Sequence, residues 1–320
     1  MPDLHVYSIG LRTRFRGIDV REGVLLRGDA GWGEFSPFLE YDAATAAPWL
    51  AAAREAADLG WPEPLRTRIA VNVTVPACSP DRAREIVLAS NGCRTAKVKV
   101  AEPGQSLAED QARLEAVRDA LGPDGLIRID ANGGWSVEEA IARIPVLERA
   151  AGGLEYVEQP SPSVEDLAAV RRRVEVPIAA DESIRRAADP YRVRDLEAAD
   201  IAVLKVQPLG GVRACLRIAE DIGLPVVVSS ALETSVGIAA GLALAAALPT
   251  LEHACGLATV QLLRSDVALV PLLPVDGYLP TGRPAVDPVA LEATTADETR
   301  VTHWAGRLAA VEALGQDQSL

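Results

Sequence analysis

TAKVKV at residues 95–100, LIRID at 126–130, LEYVE at 154–158, PIAAD at 177–181 and IAVLK at 201–205 are five short apolar runs, each with a charged residue at or near its end. The charged residues are Lys97 and Lys99, then Asp130, Glu158, Asp181 and Lys205. From Asp130 onward they recur at gaps of 28, 23 and 24 residues. Each gap is the length of one strand–loop–helix–loop unit. In a closed barrel of such units the strand ends meet at one mouth. The spacing therefore predicts that three acids and three lysines gather there.

Working outward, the same rhythm extends in both directions. RIAVNVTV from Arg68 reads as the first barrel strand, and LPVVVSS and LEHA, near residues 224–230 and 251–254, as the seventh and eighth. Helical segments lie between them, with start signals at Ser79-Pro80 and at the Ser136/Glu139 capping box. Several strands are apolar on both faces, as parallel strands under helices are. The fold class predicted is α/β, a (β/α)7β TIM-like barrel. No GxGxxG follows the first strand, which argues against a dinucleotide fold.

The flanks read differently. HVYSIGLRT alternates as a strand does, GVLLRGDAGWGEF reads as two strands around a turn, and Tyr41–Leu59 is Ala-rich with helical spacing. These make a small α+β unit. Past Asp266 the βα rhythm stops, and a Pro- and Gly-rich tail is expected to return to the N-terminal unit. The division expected is residues 1–67 for the N-terminal α+β capping domain, 68–264 for the barrel, and 265–320 for the returning segment.

Composition narrows the function. The 320-residue chain carries a net charge of −13 and is 49% hydrophobic but only 4% aromatic. It can bury a large aliphatic core, and it is a poor partner for nucleic acid phosphates. The most apolar segment, residues 235–249, is too short to span a membrane. The four cysteines show no CxxC spacing, and MPDLHVYSIG lacks a basic region followed by an apolar stretch. A cytoplasmic protein with free thiols is expected, and a local basic pocket would still suit an anionic small molecule.

Carboxylates at three successive strand ends form an all-oxygen ligand set suited to Mg²⁺, with Mn²⁺ as the substitute. One strand-end acid alone would be an ordinary cap or loop residue; three in succession are not explained that way. Lys97 and Lys99 lie two apart on one strand and so point the same way, into the mouth. A lysine among other cations loses basicity and can act as a base. Lys205 would face the pair from across the mouth, although taken alone it reads equally well as a snorkelling lysine. Asn132 and Glu182 sit beside ligands and would support them. Ser229 and Ser230 after the seventh strand, and Gly210 with Gly211 after the sixth, suit a substrate carboxylate near helix N-termini. A plain turn or cap is the alternative for each. His5, His253 and His303 make no ligand spacing, and there is neither a nucleophile elbow nor a P-loop.

A KxK pair, then D, E and D on successive strands, then K, resembles the enolase superfamily, and the two lysine positions resemble its muconate-lactonizing-enzyme subgroup. The resemblance covers residues 68 to 260 and plausibly the whole chain. Within the subgroup, FRGIDVREG (Phe15–Gly23), GWGEFSPF (Gly31–Phe38), SSALETSVG and HACGLAT look like the o-succinylbenzoate synthase family. The resemblance implies a capping domain built from both termini and metal ligands Asp130, Glu158 and Asp181. It also implies that Lys99 takes a proton α to a carboxylate, Lys97 keeps that base neutral, and Lys205 stabilises the enediolate from the opposite face. Dehydration to an aromatic succinylbenzoate, toward menaquinone, is the implied reaction. An N-succinylamino acid racemase is the alternative, since lysines on both faces permit it. A dipeptide epimerase is disfavoured because HACGLAT replaces its usual Asp-x-Asp. A noncatalytic metal-binding relative is the remaining reading, and the intact set of six residues argues against it. Arg16 and Arg21 are candidates to read the succinyl tail.

Overall fold

The structure is a computed structural model that describes residues 4–186 and 189–317. Three antiparallel strands open the chain: β1 (Leu4–Phe15), β2 (Ile18–Gly28) and β3 (Gly31–Phe35). Helix α1 (Ala43–Arg54) follows, capped by Asp42, and runs into a π-helical turn at Glu55–Leu59. The sheet and helix meet at very short range. A Cβ on Gly33 would lie 2.0 Å from the Ala53 carbonyl oxygen.

The barrel follows, with strands and helices alternating apart from two successive strands at its start and a pair of short helices further on. β4 (Arg68–Ala70) and β5 (Val73–Val75) precede α2 (Pro80–Leu88), and β6 (Thr95–Lys99) precedes α3 (Leu107–Leu121). Next come β7 (Leu126–Asp130), α4 (Val137–Ala151), β8 (Val157–Glu158), α5 (Val164–Arg171) and β9 (Ile178–Ala180). Short helices α6 (Glu182–Arg185) and α7 (Arg192–Asp195) lead to β10 (Ile201–Lys205), α8 (Val212–Ile222), β11 (Val226–Ser229) and α9 (Ser235–Ala247). Strands β5 to β11 form one parallel sheet in sequential order. Bridges from Cys255 to Val71 and from Gly256 to Ser229 close it.

Strand period sorts the side chains. Ile127, Ile129, Val157, Ala202, Leu204, Val226 and Val228 pack in the large cluster shared with the helices. Their alternates Tyr156, Ile201, Val203 and Val227 form a separate cluster with Ala179 on the barrel's inner side. Arg128 is fully buried among these inward positions, donating to Tyr156 Oη at 2.8 Å and paired with Glu155. One more inward step along the strands reaches Asp130, Glu158, Lys205 and Ser229.

Two expectations need correction. RIAVNVTV is two strands, because the chain changes partners at Asn72. β4 pairs outward with β12 (Tyr278–Pro280), while β5 joins the barrel. LEHA is not a strand. The eighth position is held by the two bridges at Cys255 and Gly256, enough to close the ring without a ladder.

The tail packs on the first sheet. Helices α10 (Pro288–Thr294) and α11 (Glu298–Asp317) follow β12. Trp304 meets Phe35 edge-on at 6.1 Å and donates to Glu22 Oε2 at 3.1 Å. Arg54 of α1 pairs with Glu312 at 2.7 Å. Among the described residues no helix is long and apolar enough to cross a membrane, and Cys78, Cys93, Cys215 and Cys255 are unpaired.

Gly33→Ala is expected to lower stability by about 1–3 kcal/mol through overpacking against α1. Thermal denaturation checks it; an unchanged melting temperature would show that the sheet and helix can part freely.

Candidate active site

Each of the six charged residues is placed by strand register. Lys99 pairs with Asp130 across β6 and β7, and Asp130 with Glu158 across β7 and β8. Asp181 directly follows β9, and Lys205 ends β10. Asp130, Glu158 and Asp181 are fully buried, and Lys97 and Lys205 nearly so. Burying three like charges costs too much unless they are compensated. The lysines provide that compensation. Lys97 Nζ lies 2.5 Å from Glu158 Oε1 and 2.8 Å from Asp130 Oδ2. Lys99 Nζ lies 2.5 Å from Asp130 Oδ2 and 2.7 Å from Asn132 Oδ1. Lys205 pairs with Asp181.

The electrostatics follow from this packing. Burial opposes the charge on Lys97, but Asp130 and Glu158 outweigh it and raise its pKa well above the usual lysine value. Burial would raise Asp130 too, yet Lys97 and Lys99 hold it well below the carboxylate range. Glu158 is pushed up to about 7, first by burial and then by the charge of Asp130. Burial would also raise Asp181, but Arg185 and Lys205 pull it down. Lys205 is lowered chiefly by burial, with Asp181 opposing. The mouth is therefore a coupled set of charges with one carboxylate under-compensated.

The neighbouring residues hold this set in place. Asn132 sits at φ 47°, a left-handed conformation unusual outside glycine. Its amide N–H donates to Asp130 Oδ1 at 3.0 Å and its side chain to Glu182 Oε1 at 3.2 Å. Gln159 Oε1 accepts from the Asp181 and Ser183 amides at 3.0 and 3.1 Å. Arg185, one helical turn after Asp181, donates to Asp181 Oδ1 at 2.8 Å and pairs with Glu182. The sequence reading missed Arg185, although its i,i+4 spacing on a helical turn was a usable signal.

A cavity of about 540 Å³ opens above these residues. The barrel gives it Thr74, Lys97, Lys99, Asn132, Glu182, Lys205, Ser229 and Ser230; the β1–β2 hairpin gives it Arg14 to Gly17. Arg16 is at the rim, 4.1 Å from the Phe38 ring and 3.0 Å from Tyr41 Oη. Burial alone would raise Tyr41, but Arg16 and Arg185 outweigh it and lower the phenol. Ser230 Oγ donates to the Gly256 carbonyl at 2.8 Å. A second cavity of about 420 Å³, lined by Arg12, Arg82 and Arg264, contains none of the six charged residues.

Two sequence expectations are displaced. Arg21 is 2% exposed and spends its guanidinium on the carbonyls of Leu232 (3.0 Å) and Glu22 (3.1 Å) and on Ser36 Oγ (2.9 Å), so it does not face the cavity. Gly210 also lies outside the cavity lining. The anion at that turn is the chain's own Glu55, whose carboxylate accepts from the Val212 and Arg213 amides at 2.5 and 3.2 Å. A Cβ on Gly211 would lie 2.2 Å from Glu55 Oε2, so that approach requires glycine.

The residues fit a hard divalent cation. Three buried carboxylates offer only oxygen, and Glu158 is short of positive charge. Among the described residues no three acid, imidazole or thiol groups already form a metal cage; ammonium groups stand between the carboxylates instead.

The family model described as enolase C-terminal domain-like matches residues 80–284, and the enolase N-terminal domain-like model matches residues 6–57. A protein named o-succinylbenzoate synthase from Thermobifida fusca is 64% identical over 96% of this chain and 95% of its own length. This chain belongs to the enolase superfamily, among the o-succinylbenzoate synthases. Its counterpart of the same name in Mycolicibacterium smegmatis is 55% identical over 97% of this chain and 95% of its own. Among solved structures, the muconate lactonizing enzyme of Pseudomonas fluorescens matches with a TM-score of 0.79 at 20% identity, covering 92% of this chain and 98% of that one. A dipeptide epimerase of Enterococcus faecalis, complexed with Mg and a dipeptide, matches with a TM-score of 0.73 at 22% identity, covering 89% and 99%. These two show the shared fold. Enzymes of the superfamily are metal-dependent.

Glu233, in the loop after β11, gives a pH test. Its carboxyl is pushed from 4.5 up to about 7, first by burial and then by the charge of Glu34. An acid raised by folding contributes stability below about pH 4.5 and loses it as pH rises through about 7. Glu233→Gln keeps a neutral group there. Its melting temperature is expected to exceed wild type above pH 7, by up to about 3 kcal/mol in stability, and to converge with it below pH 4.5. A constant offset at all pH values would contradict the assignment.

Proposed function

We propose that this chain dehydrates 2-succinyl-6-hydroxy-2,4-cyclohexadiene-1-carboxylate to o-succinylbenzoate, a step toward menaquinone. The observation that carries this reading is the interleaving of three buried carboxylates with Lys97, Lys99 and Lys205 beneath one cavity. It occurs in a chain 64% identical to a protein of that name. The rest of the lining suits a dicarboxylate. Arg14, Arg16, Arg185 and Arg186 surround the cavity of a protein whose net charge is −13.

Asp130, Glu158 and Asp181 would hold Mg²⁺, the metal of the epimerase complex, with Mn²⁺ as the substitute. Bound there, the cation would draw negative charge onto the substrate carboxylate as its α-proton leaves. The lysines handle the proton. Lys99 Nζ lies 2.5 Å from Asp130 Oδ2. The cation on Lys97, two residues away on the same strand, opposes a second positive charge beside it. Lys99 then takes the α-proton and gives it to the departing hydroxyl, which leaves as water from the same face. Lys205, on the far wall, offers positive charge to the carboxylate as electrons move into it. Aromatisation of the ring supplies much of the driving force. Asn132 and Glu182 steady Asp130 and Arg185, while Ser229, Ser230 and Arg16 are assigned to the substrate's polar ends.

Residues 1–67 and 265–320 are assigned to the cap and 68–264 to the barrel. A cytoplasmic location suits the four unpaired thiols.

Lys99→Ala is expected to lower kcat/KM by about 10²–10⁴-fold, the usual contribution of a positioned base. Loss of diene absorbance follows the reaction, and near wild-type turnover would overturn the base assignment. EDTA is expected to abolish wild-type activity and added Mg²⁺ to restore it. In D₂O, an N-succinylamino acid is expected to show little α-deuterium exchange; fast exchange without aromatisation would assign the chain to racemisation instead.

A further inference from the structure

The cap touches the cavity directly through its hairpin, but it also reaches the barrel behind the cavity wall. Ser229 to Leu232 line the cavity, and helix α9 begins three residues later. Leu232 sits at φ 68°, a left-handed conformation that a branched, non-glycine residue keeps only where its surroundings impose it. Arg21 of β2 imposes it. Its Nε donates to the Leu232 carbonyl at 3.0 Å, and its Nη2 lies 3.4 Å from the Ala231 carbonyl. The same Nη2 is tied to Ser36 of the cap, 2.9 Å from its Oγ.

Glu34 of β3 holds the other end of the loop. It is fully buried and sits at the N-terminus of α9. Its Oε2 accepts from the Thr234 amide at 3.1 Å, from the Gly237 amide at 3.0 Å and from the Thr234 hydroxyl. Its Oε1 accepts from Tyr7 Oη at 2.7 Å and Ser36 Oγ at 2.8 Å. Gly237 is itself tightly enclosed: a Cβ there would lie 2.5 Å from the Glu233 side chain and 2.9 Å from Gln207 Nε2. Gln207, two residues past Lys205, closes the network by accepting from the Ser36 amide at 3.3 Å. Every member is buried and paired, and buried polar networks of this kind fix one geometry.

We propose that Arg21 and Glu34 are positioning residues for substrate binding: from the cap, they set the backbone of residues 229–234 and so shape the cavity wall. Neither touches the cavity; both act through the loop. The substrate reading above supplies the ligand, so this inference rests on it for the activity readout. The loop geometry can be read without it.

The experiment compares Arg21→Met and Glu34→Gln with wild type and with Glu55→Gln. Glu55 joins the cap to α8 and, among the described residues, has no hydrogen bond or ion pair to residues 229–234, so its variant controls for general loosening. Five quantities are measured: KM and kcat with the cyclohexadiene carboxylate, the Kd of o-succinylbenzoate by calorimetry, amide hydrogen exchange over residues 229–237, and the melting temperature.

For Arg21→Met and Glu34→Gln, KM and Kd are expected to rise about tenfold, equivalent to 1.4 kcal/mol, while kcat stays within about threefold. Exchange should quicken in 229–237 ahead of the rest of the barrel. Glu55→Gln should lower the melting temperature and leave KM and Kd near wild type. The proposal is overturned if both variants lose only melting temperature, or if Glu55→Gln raises KM as much as they do. Should wild type neither turn over the diene nor bind the product, the substrate reading fails. The exchange data then decide the proposal: faster exchange confined to the loop sustains it, and wild-type protection there rejects it.

Discussion

Compensation of buried negative charge is the constraint on which this molecule turns. A carboxylate taken from water into a barrel mouth loses solvation worth several kcal/mol, a large share of a typical protein's whole stability. Three such groups on adjacent strands are tolerable only with cations between them, and Lys97, Lys99 and Lys205 occupy those positions. The same requirement makes the mouth reactive. It sets opposite charges side by side there, with Lys97 against both Asp130 and Glu158. Beneath this layer, Arg128 with Glu155 and Tyr156 continues the pairing to the inner side of the barrel.

Joining cap to barrel relies on a related device. Two barrel helices, α8 and α9, begin with unpaired amide groups, as all helices do. In both, the partner is a cap carboxylate: Glu55 at α8 and Glu34 at α9. The helix dipole favours an anion there. At α8 the approach is admitted by Gly211, directly before the helix, where a Cβ would meet Glu55 Oε2. An anion-binding feature that would elsewhere hold a ligand is thus spent on architecture. This is the physical reason Gly210 and Gly211 do not face the cavity.

Much of this was legible in the chain, because strand period and unit spacing are local properties. Lys97 and Lys99 share a face because strands repeat every two residues, and Asp130, Glu158 and Asp181 converge because each βα unit returns the chain to the same end. What the sequence hid depends on partners far away in the chain. RIAVNVTV looks like one strand, since nothing local marks Asn72 as the point where pairing passes from β12 to the barrel. LEHA looks like a strand, yet two bridges suffice because its neighbours already complete the curvature. Arg21 looked like a free cation in a loop. Only tertiary packing shows that its donors are taken by Leu232, Glu22 and Ser36.

The placement of chemistry follows from which parts are rigid. The six charged residues stand on, or next to, strands of one parallel sheet, where register fixes them relative to each other. The residues that shape the cavity come from the β1–β2 hairpin, the loop after β11 and the cap's aromatic residues Phe38 and Trp49. A fold match at 20% identity with a muconate lactonizing enzyme shows that the frame survives extensive replacement of side chains. The charged set depends on the frame, while the cavity wall above it is made of loops that the N-terminal unit and the barrel hold jointly. Replacement in those loops can reshape the wall while the charge array at the strand ends stays as burial requires.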